Sequence, residues 1–216
     1  MSNYKTVFFI LGVLQIILGL SMIVPIMAQF YYNQVDSGFI GSGLVSIIFG
    51  VLFFLSNLDY EKKLTLPQAF LLTALSWLSI AIFGSLPFVF SDLSLSFTNA
   101  FFESMSGITT TGSTILTNLN ETPKAILLWR AMLQWLGGIG IIVMAITLMP
   151  IMNIGGMQLF VISNTHTPEK ILPKSKEISI RLIAIYSSLT LVCALFYKIF
   201  GMSFFDSIVH SMTTIA

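Results

Sequence analysis

The sequence predicts an all-α integral membrane protein, and three observations carry that prediction. Apolar residues make up 56% of the 216-residue chain and charged residues only 9%, against roughly 25% charge in soluble domains. Mean hydropathy is +0.92. Five apolar segments reach the ~20 residues that a bilayer crossing needs. The net charge of +1, with no basic tail and no basic-aromatic interleaving, gives no support to a nucleic-acid partner. The single cysteine, Cys193, excludes an internal disulfide and lies mid-helix in an apolar run, where it reads as a small packing residue.

The predicted spans are Val7–Tyr32, Gly38–Asn57, Gln68–Phe90, Ala125–Met149 and Ile178–Phe200. Pro25 and Pro87 lie near helix ends, where a kink is cheapest. The first span is too long for a signal-peptide core and lacks a following small-residue cleavage site, so it reads as a retained helix. Basic residues set the orientation. With the N-terminus in the cytoplasm, Lys5, Lys62, Lys63, Lys170, Lys174, Lys176 and Arg181 fall inside, against Lys124, Arg130 and Lys198 outside. The outer connections then carry Asp36, Asp92 and Glu121, and Tyr31 and Tyr32 sit at the outer boundary.

The segment Asp92–Lys124 lies between an outward-going and an inward-going helix and is 33 residues long. Its part Phe97–Ile108 is apolar enough to re-enter the membrane. Twelve helical residues span about 18 Å, roughly half of a ~30 Å hydrocarbon core. Backbone that turns at that depth must face water or protein. The run Thr109-Thr110-Thr111-Gly112-Ser113 follows at once. A half-crossing helix followed by an extended Thr/Gly run is how a membrane protein lines a narrow cation path with carbonyl oxygens. Gly112 admits backbone angles that a residue with a Cβ resists. These five residues are the candidate ion-binding filter, with one glycine where the TVGYG filter of potassium channels has two, so modest selectivity for K⁺ over Na⁺ is expected. An extracellular Ser/Thr turn is the other reading of the same residues.

A shift of 107 residues lays Ser96–Thr109 over Ser203–Ala216, with five of fourteen positions identical: Ser96/Ser203, Phe97/Phe204, Ser104/Ser211, Met105/Met212 and Ile108/Ile215. A spanning helix precedes each copy, which makes the repeated unit helix, re-entrant helix, filter, helix. Ile215 and Ala216 stand where the second filter would start. The expected organisation is two N-terminal helices in 1–66, a complete repeat in 67–150, a cytoplasmic connector in 151–177 and a partial second repeat in 178–216. A pore needs a closed ring of such loops, so the chain reads as the N-terminal portion of a longer protein.

Glu103 and Arg130 are the charges placed inside the membrane region. An unpaired charge there costs at least ~2.5–3.5 kcal/mol, so the two are expected to pair and hold the loop; attraction of cations by Glu103 is the alternative. His210 matches Glu103 in the repeat and has no second ligand at metal-binding spacing, so a packed polar role is expected. Gly137-Gly138-Ile139-Gly140 would let the fourth span approach the pore loop closely. Trp129 and Trp135 read as interfacial anchors or packing residues. The stretch Pro150–Lys176 begins apolar and ends basic, as an interfacial connector or a docking site.

Three motif runs carry a family resemblance: Phe101–Thr114, Leu128–Gly140 and Gly155-Gly156-Met157-Gln158-Leu159-Phe160. Together they resemble the Trk/Ktr family of bacterial potassium uptake proteins, whose TrkH type also has two helices ahead of the first repeat. Phe205–Ala216 is similar to the family's second pore loop. The resemblance implies a K⁺-channel-like fold of four helix–loop–helix repeats around one pore, usually a homodimer in the inner membrane. It implies K⁺ as the transported ion, no bound cofactor and a cytoplasmic nucleotide-binding regulatory subunit. The family's filter positions carry over onto Thr110, Thr111 and Gly112. The rest of the second repeat, the third with its intramembrane gating loop and the fourth have no counterpart here.

Three function classes follow: a K⁺-permeating subunit or part of one, a non-conducting chain that associates with a full-length subunit, and an intramembrane enzyme. The last needs paired aspartates or an HExxH motif. Asp206 stands alone and no HExxH occurs, so no enzyme is expected.

Overall fold

The computed structural model describes residues 4–34, 36–60, 64–119, 121–152 and 171–216, with the side chains of 145–152 and 171–176 outside the description. The predicted connector over Pro150–Lys176, including Lys170 and the Gly155–Phe160 run, therefore lies largely outside the described residues, as do Lys62 and Lys63. Eight helices and no strand occur among the described residues. They are α1 (Lys5–Ser21), α2 (Ile23–Tyr31), α3 (Gly38–Ser56), α4 (Leu66–Phe90), α5 (Phe97–Ile108), α6 (Lys124–Met152), α7 (Ile171–Ile199) and α8 (Phe204–Ile215).

Five of these stretches are long and apolar enough to cross a membrane: Lys5–Tyr31, Gly38–Ser56, Leu66–Phe90, Lys124–Met144 and Glu177–Ile199. They match the five expected spans with one difference. The first span is interrupted at Met22, which separates α1 from α2. Pro25 has no N–H to return to Ser21, three residues past the break, so the helical ladder is cut there. At the other end of the fold, α6 continues through Pro150 to Met152 and α7 begins at Ile171.

The chain divides into two compact units, Met1–Gly137 and Gly138–Ala216. In the first, α1 packs chiefly against α3, and both touch α4. Small residues make the α1–α3 contact possible. A Cβ on Gly12 would stand 2.7 Å from the carbonyl oxygen of Gly50, and one on Gly50 2.8 Å from that of Gly12. Such backbone approach is how apolar helices associate where lipid removes the hydrophobic incentive. Ser42 and Ser46, both fully buried, return their hydroxyls to the carbonyls of Gly38 and Ser42. Gln15, also fully buried, donates to Ser79 Oγ at 2.6 Å and so links α1 to α4. Large apolar side chains such as Ile17, Met27, Leu44 and Leu52 point outward, as lipid-facing positions do.

A capping box at Thr65 and Gln68 starts α4, with Pro67 in its first turn. The helix runs on past Pro87 for only three residues before Ser91 ends it. In the second unit, α7 packs against α8, and Tyr197 Oη lies 2.9 Å from Thr214 Oγ1.

Candidate functional site

Ser96 opens α5 by accepting the N–H of Asn99, and the helix occupies Phe97–Ile108, the bounds expected from the sequence. Helix α5 packs against α4, and Glu103, Ser104, Ser106, Gly107 and Ile108 are buried. The end of α5 is a Schellman motif. Thr111 N–H donates to Ser106 O at 3.0 Å and Thr110 N–H to Gly107 O at 2.9 Å. This geometry needs a left-handed residue just past the cap, a place that glycine usually takes. Here it is Thr110, with φ +58°. Gly112 is left-handed too, with φ +77°.

The loop Thr109–Ser113 divides by what its carbonyls touch. Arg130 Nη2 donates to Gly112 O at 2.7 Å and to Ser113 O at 3.4 Å, and Ser106 Oγ donates to Ser113 O at 2.6 Å. Among the described hydrogen bonds, none reaches the carbonyl of Thr109, Thr110 or Thr111. The side chains of Thr109 and Thr111 meet: Thr109 Oγ1 donates to Met105 O at 2.7 Å and lies 2.9 Å from Thr111 Oγ1. An open cavity borders the loop, lined by Phe102, Met105, Ser106, Thr109, Thr111 and Ser113.

Behind the loop stands a charged core. Glu103 is fully buried, while the side chain of Arg130 is 15% exposed. Arg130 Nε donates to Glu103 Oε1. The second carboxylate oxygen accepts from Thr114 Oγ1 and from Ile115 N–H, each at 3.0 Å. One carboxylate therefore receives a cation and two neutral donors, which a buried charge requires. Arg130 reaches from the carboxylate to the Gly112 carbonyl, so the guanidinium bridges α5 and the loop.

Two further contacts fix α6. Trp129 is fully buried and its Nε1 donates to Gly84 O on α4 at 2.9 Å, a packing role and not an interfacial one. Gly137 faces the carbonyl of Ile108, the last residue of α5. That contact accounts for the first glycine of the Gly137–Gly140 run.

Ile215 closes α8 and Ala216 caps it, its N–H donating to Met212 O at 3.2 Å. Helix α8 spans Phe204–Ile215, so its bounds fall 107 residues after those of α5, and Ser203 accepts the Asp206 N–H as Ser96 accepts that of Asn99. Asp206 also accepts from Ser203 Oγ at 2.7 Å. His210 is exposed and its Nδ1 lies 3.0 Å from the Asp206 carbonyl. Among the described residues no cluster of His, Cys, Asp or Glu could hold a metal ion.

Residues 35–216 match the TrkH family, described as cation transport protein. The chain belongs to the TrkH family. That family is one of transporters, not enzymes. The chain is 38% identical over 208 residues to the Trk system potassium uptake protein TrkI of Halomonas elongata, covering 96% of this chain and 42% of that protein. It is also 38% identical over 218 residues to the Trk system potassium uptake protein TrkH of Escherichia coli K12, covering 99% and 45%. Among solved structures it resembles the potassium transporter TrkH from Vibrio parahaemolyticus, with TM-score 0.86 and 35% identity over 98% of this chain and 42% of that one. The chain thus spans less than half the length of the relatives it matches.

Sequence reasoning named Glu103, Arg130, Trp129 and the Thr109–Ser113 run, but not the left-handed backbone of Thr110 or the part played by Ser106. Thr110 gave no sign of its left-handed backbone, because nothing in the composition marks a threonine at a position glycine prefers. Ser106 and Trp129 act through contacts 7 and 45 residues away. The polar hydroxyl on the apolar α5 was the available signal for Ser106.

Proposed function

We propose that this chain supplies the first part of a potassium-uptake path of the Trk type across the bacterial inner membrane, with its N-terminus in the cytoplasm. The observation that carries the reading is the row of three adjacent carbonyls, Thr109 to Thr111, to which no donor among the described residues is bonded. They follow a helix of about 18 Å that ends inside the bilayer. Carbonyls at such depth need a partner, and a partly dehydrated cation is one. Thr109, Thr110 and Thr111 offer the oxygens. Gly112 and Ser113 belong to the same filter but serve it by shape, since their carbonyls are held by Arg130 and Ser106. Glu103 and Arg130 support the loop.

Ile215, which ends α8 as Ile108 ends α5, and Ala216 after it would lead into a second such loop, and the matching bounds of α5 and α8 favour a repeated architecture. In the assembled protein several such loops would surround one K⁺ path. A homodimer and a cytoplasmic nucleotide-binding regulatory subunit complete the proposed system. K⁺ is cargo here, and no cofactor is needed.

The test is rubidium uptake by cells that lack their own potassium uptake systems and express the full-length protein carrying this chain. Saturable uptake that Na⁺ competes with poorly is the expected result. Protein present in the membrane with no uptake overturns the reading. Co-purification of the silent chain with a conducting subunit would then favour the non-conducting, associating chain.

A further inference from the structure

The turn between α2 and α3 reaches both ends of the segment that carries the candidate filter. Gln34 Oε1 accepts the N–H of Lys124, the first residue of α6, at 3.0 Å. The two residues are 90 positions apart. Asp36 Oδ2 accepts the N–H of Asp92, just past the end of α4, at 3.2 Å, across 56 positions. Its other oxygen accepts the N–H of Gly38 at 2.8 Å, the first residue of α3. The residues on either side are held too: Gln34 N–H returns to Gln29 O at 3.0 Å, and a Cβ on Gly38 would stand 2.8 Å from the carbonyl oxygen of Phe90.

The N–H groups of a first helical turn have no partner within their own helix. Gln34 supplies one for α6 from another part of the chain. That sets where α6 starts, and the start sets the height of Arg130, six residues and about 9 Å further along. Arg130 in turn holds the carbonyl of Gly112 and the carboxylate of Glu103. Asp36 holds the opposite end of the excursion, five residues ahead of α5.

We infer that Gln34 and Asp36 are positioning residues for ion selectivity: the N-terminal helices serve as a brace that clamps both ends of the pore loop and so fixes the spacing of its carbonyls. This deepens the uptake reading and rests on it. Neither side chain lines the cavity beside the loop. Their action runs through Lys124, α6 and Arg130 on one side and through Asp92 and α5 on the other.

The experiment uses the full-length protein in cells lacking other potassium uptake, and reads the Rb⁺-to-Na⁺ discrimination beside the amount of protein in the membrane. Wild-type uptake is measured first, so failure of the transport reading shows there and is separate from failure of the brace. Gln34→Ala and Asp36→Ala are expected to lower discrimination about three- to tenfold, the scale of one lost hydrogen bond, at unchanged protein level. Gln34→Glu keeps an acceptor oxygen and is expected to keep the wild-type ratio. Alanine variants at wild-type level with a wild-type ratio overturn the inference, as does a Gln34→Glu variant altered as much as Gln34→Ala. If the alanine variants fail to accumulate, Gln34→Met and Asp36→Asn decide by the same criterion. Asp36→Asn has one acceptor oxygen for two N–H donors, so a lowered ratio supports the brace and a wild-type ratio overturns it.

Discussion

Gly137 on α6 stands against the carbonyl of Ile108, the last residue of α5, with no space for a Cβ between them. Helix α6 therefore passes directly behind the point where the chain leaves α5 and enters the Thr109–Ser113 run. Gly140, three residues on, has none of the described residues within 4 Å of where its Cβ would be. Overpacking of a close contact costs about 1–3 kcal/mol. Gly137→Ala is expected to lower the thermal midpoint of the detergent-purified protein and to reduce uptake, while Gly140→Ala leaves both near wild type. Equal midpoints for the two variants would argue against this contact.

Arg130 holds Glu103 with one nitrogen and the Gly112 carbonyl with another. Removing one partner of a buried ion pair costs about 3–5 kcal/mol, because the other charge stays behind. Glu103→Gln and Arg130→Gln are each expected to destabilise strongly, and the double variant less than the sum of the two. Arg130→Lys keeps the charge but lacks the planar fork that spans two acceptors. It is expected to accumulate and to discriminate poorly between Rb⁺ and Na⁺. A double-mutant cycle on thermal midpoints, with uptake measured alongside, tests both statements.

Thr110 and Gly112 share a left-handed backbone, with φ +58° and +77°. For a residue with a Cβ that conformation costs roughly 1–2 kcal/mol, and strain of this kind gathers at functional sites. The two substitutions should therefore move stability in opposite directions. Thr110→Gly is expected to raise the thermal midpoint yet weaken ion discrimination, since the backbone gains freedom. Gly112→Ser is expected to lower the midpoint and change the permeation ratio. An unchanged Rb⁺-to-Na⁺ ratio in Gly112→Ser would remove this run from the ion path.

Ser104 and Trp129 give a contrast in buried polar groups. The hydroxyl of Ser104 is fully buried and has no hydrogen-bond partner among the described residues, whereas Trp129 Nε1 donates to Gly84 O. A buried polar group without a partner is a cost, and one whose partner is removed leaves an orphan worth about 1–3 kcal/mol. Ser104→Ala is expected to be neutral or stabilising, and Trp129→Phe destabilising, in thermal unfolding of the purified protein.

Much of this arrangement is legible in the chain. The bounds Phe97–Ile108 of α5 follow from an apolar stretch of half-membrane length, flanked by Ser96 and by Thr109. Glu103 and Arg130 stand out as charges in an apolar setting, and their contact is the one that desolvation demands. The break at Met22 is less legible, because Pro25 also fits near the end of an uninterrupted helix. Trp129 reads from the sequence as either an interfacial anchor or a packing residue, and only its enclosure and its bond to α4 decide for packing.

By itself the sequence determined the class of the protein, its five spans and the place of the half-length helix with its Thr/Gly run. Those properties come from contiguous residues, since apolar length and local hydrogen bonding are what a bilayer tests. The tertiary structure alone decided that the carbonyls of Gly112 and Ser113 receive donors from Arg130 and Ser106. It also decided that Gln34 caps α6, that Asp36 holds Asp92, and that Ile108 fills the space beside Gly137. Each depends on groups brought together from distant parts of the chain, and a hydrogen bond or a steric contact is decided over a few ångströms that sequence spacing does not specify.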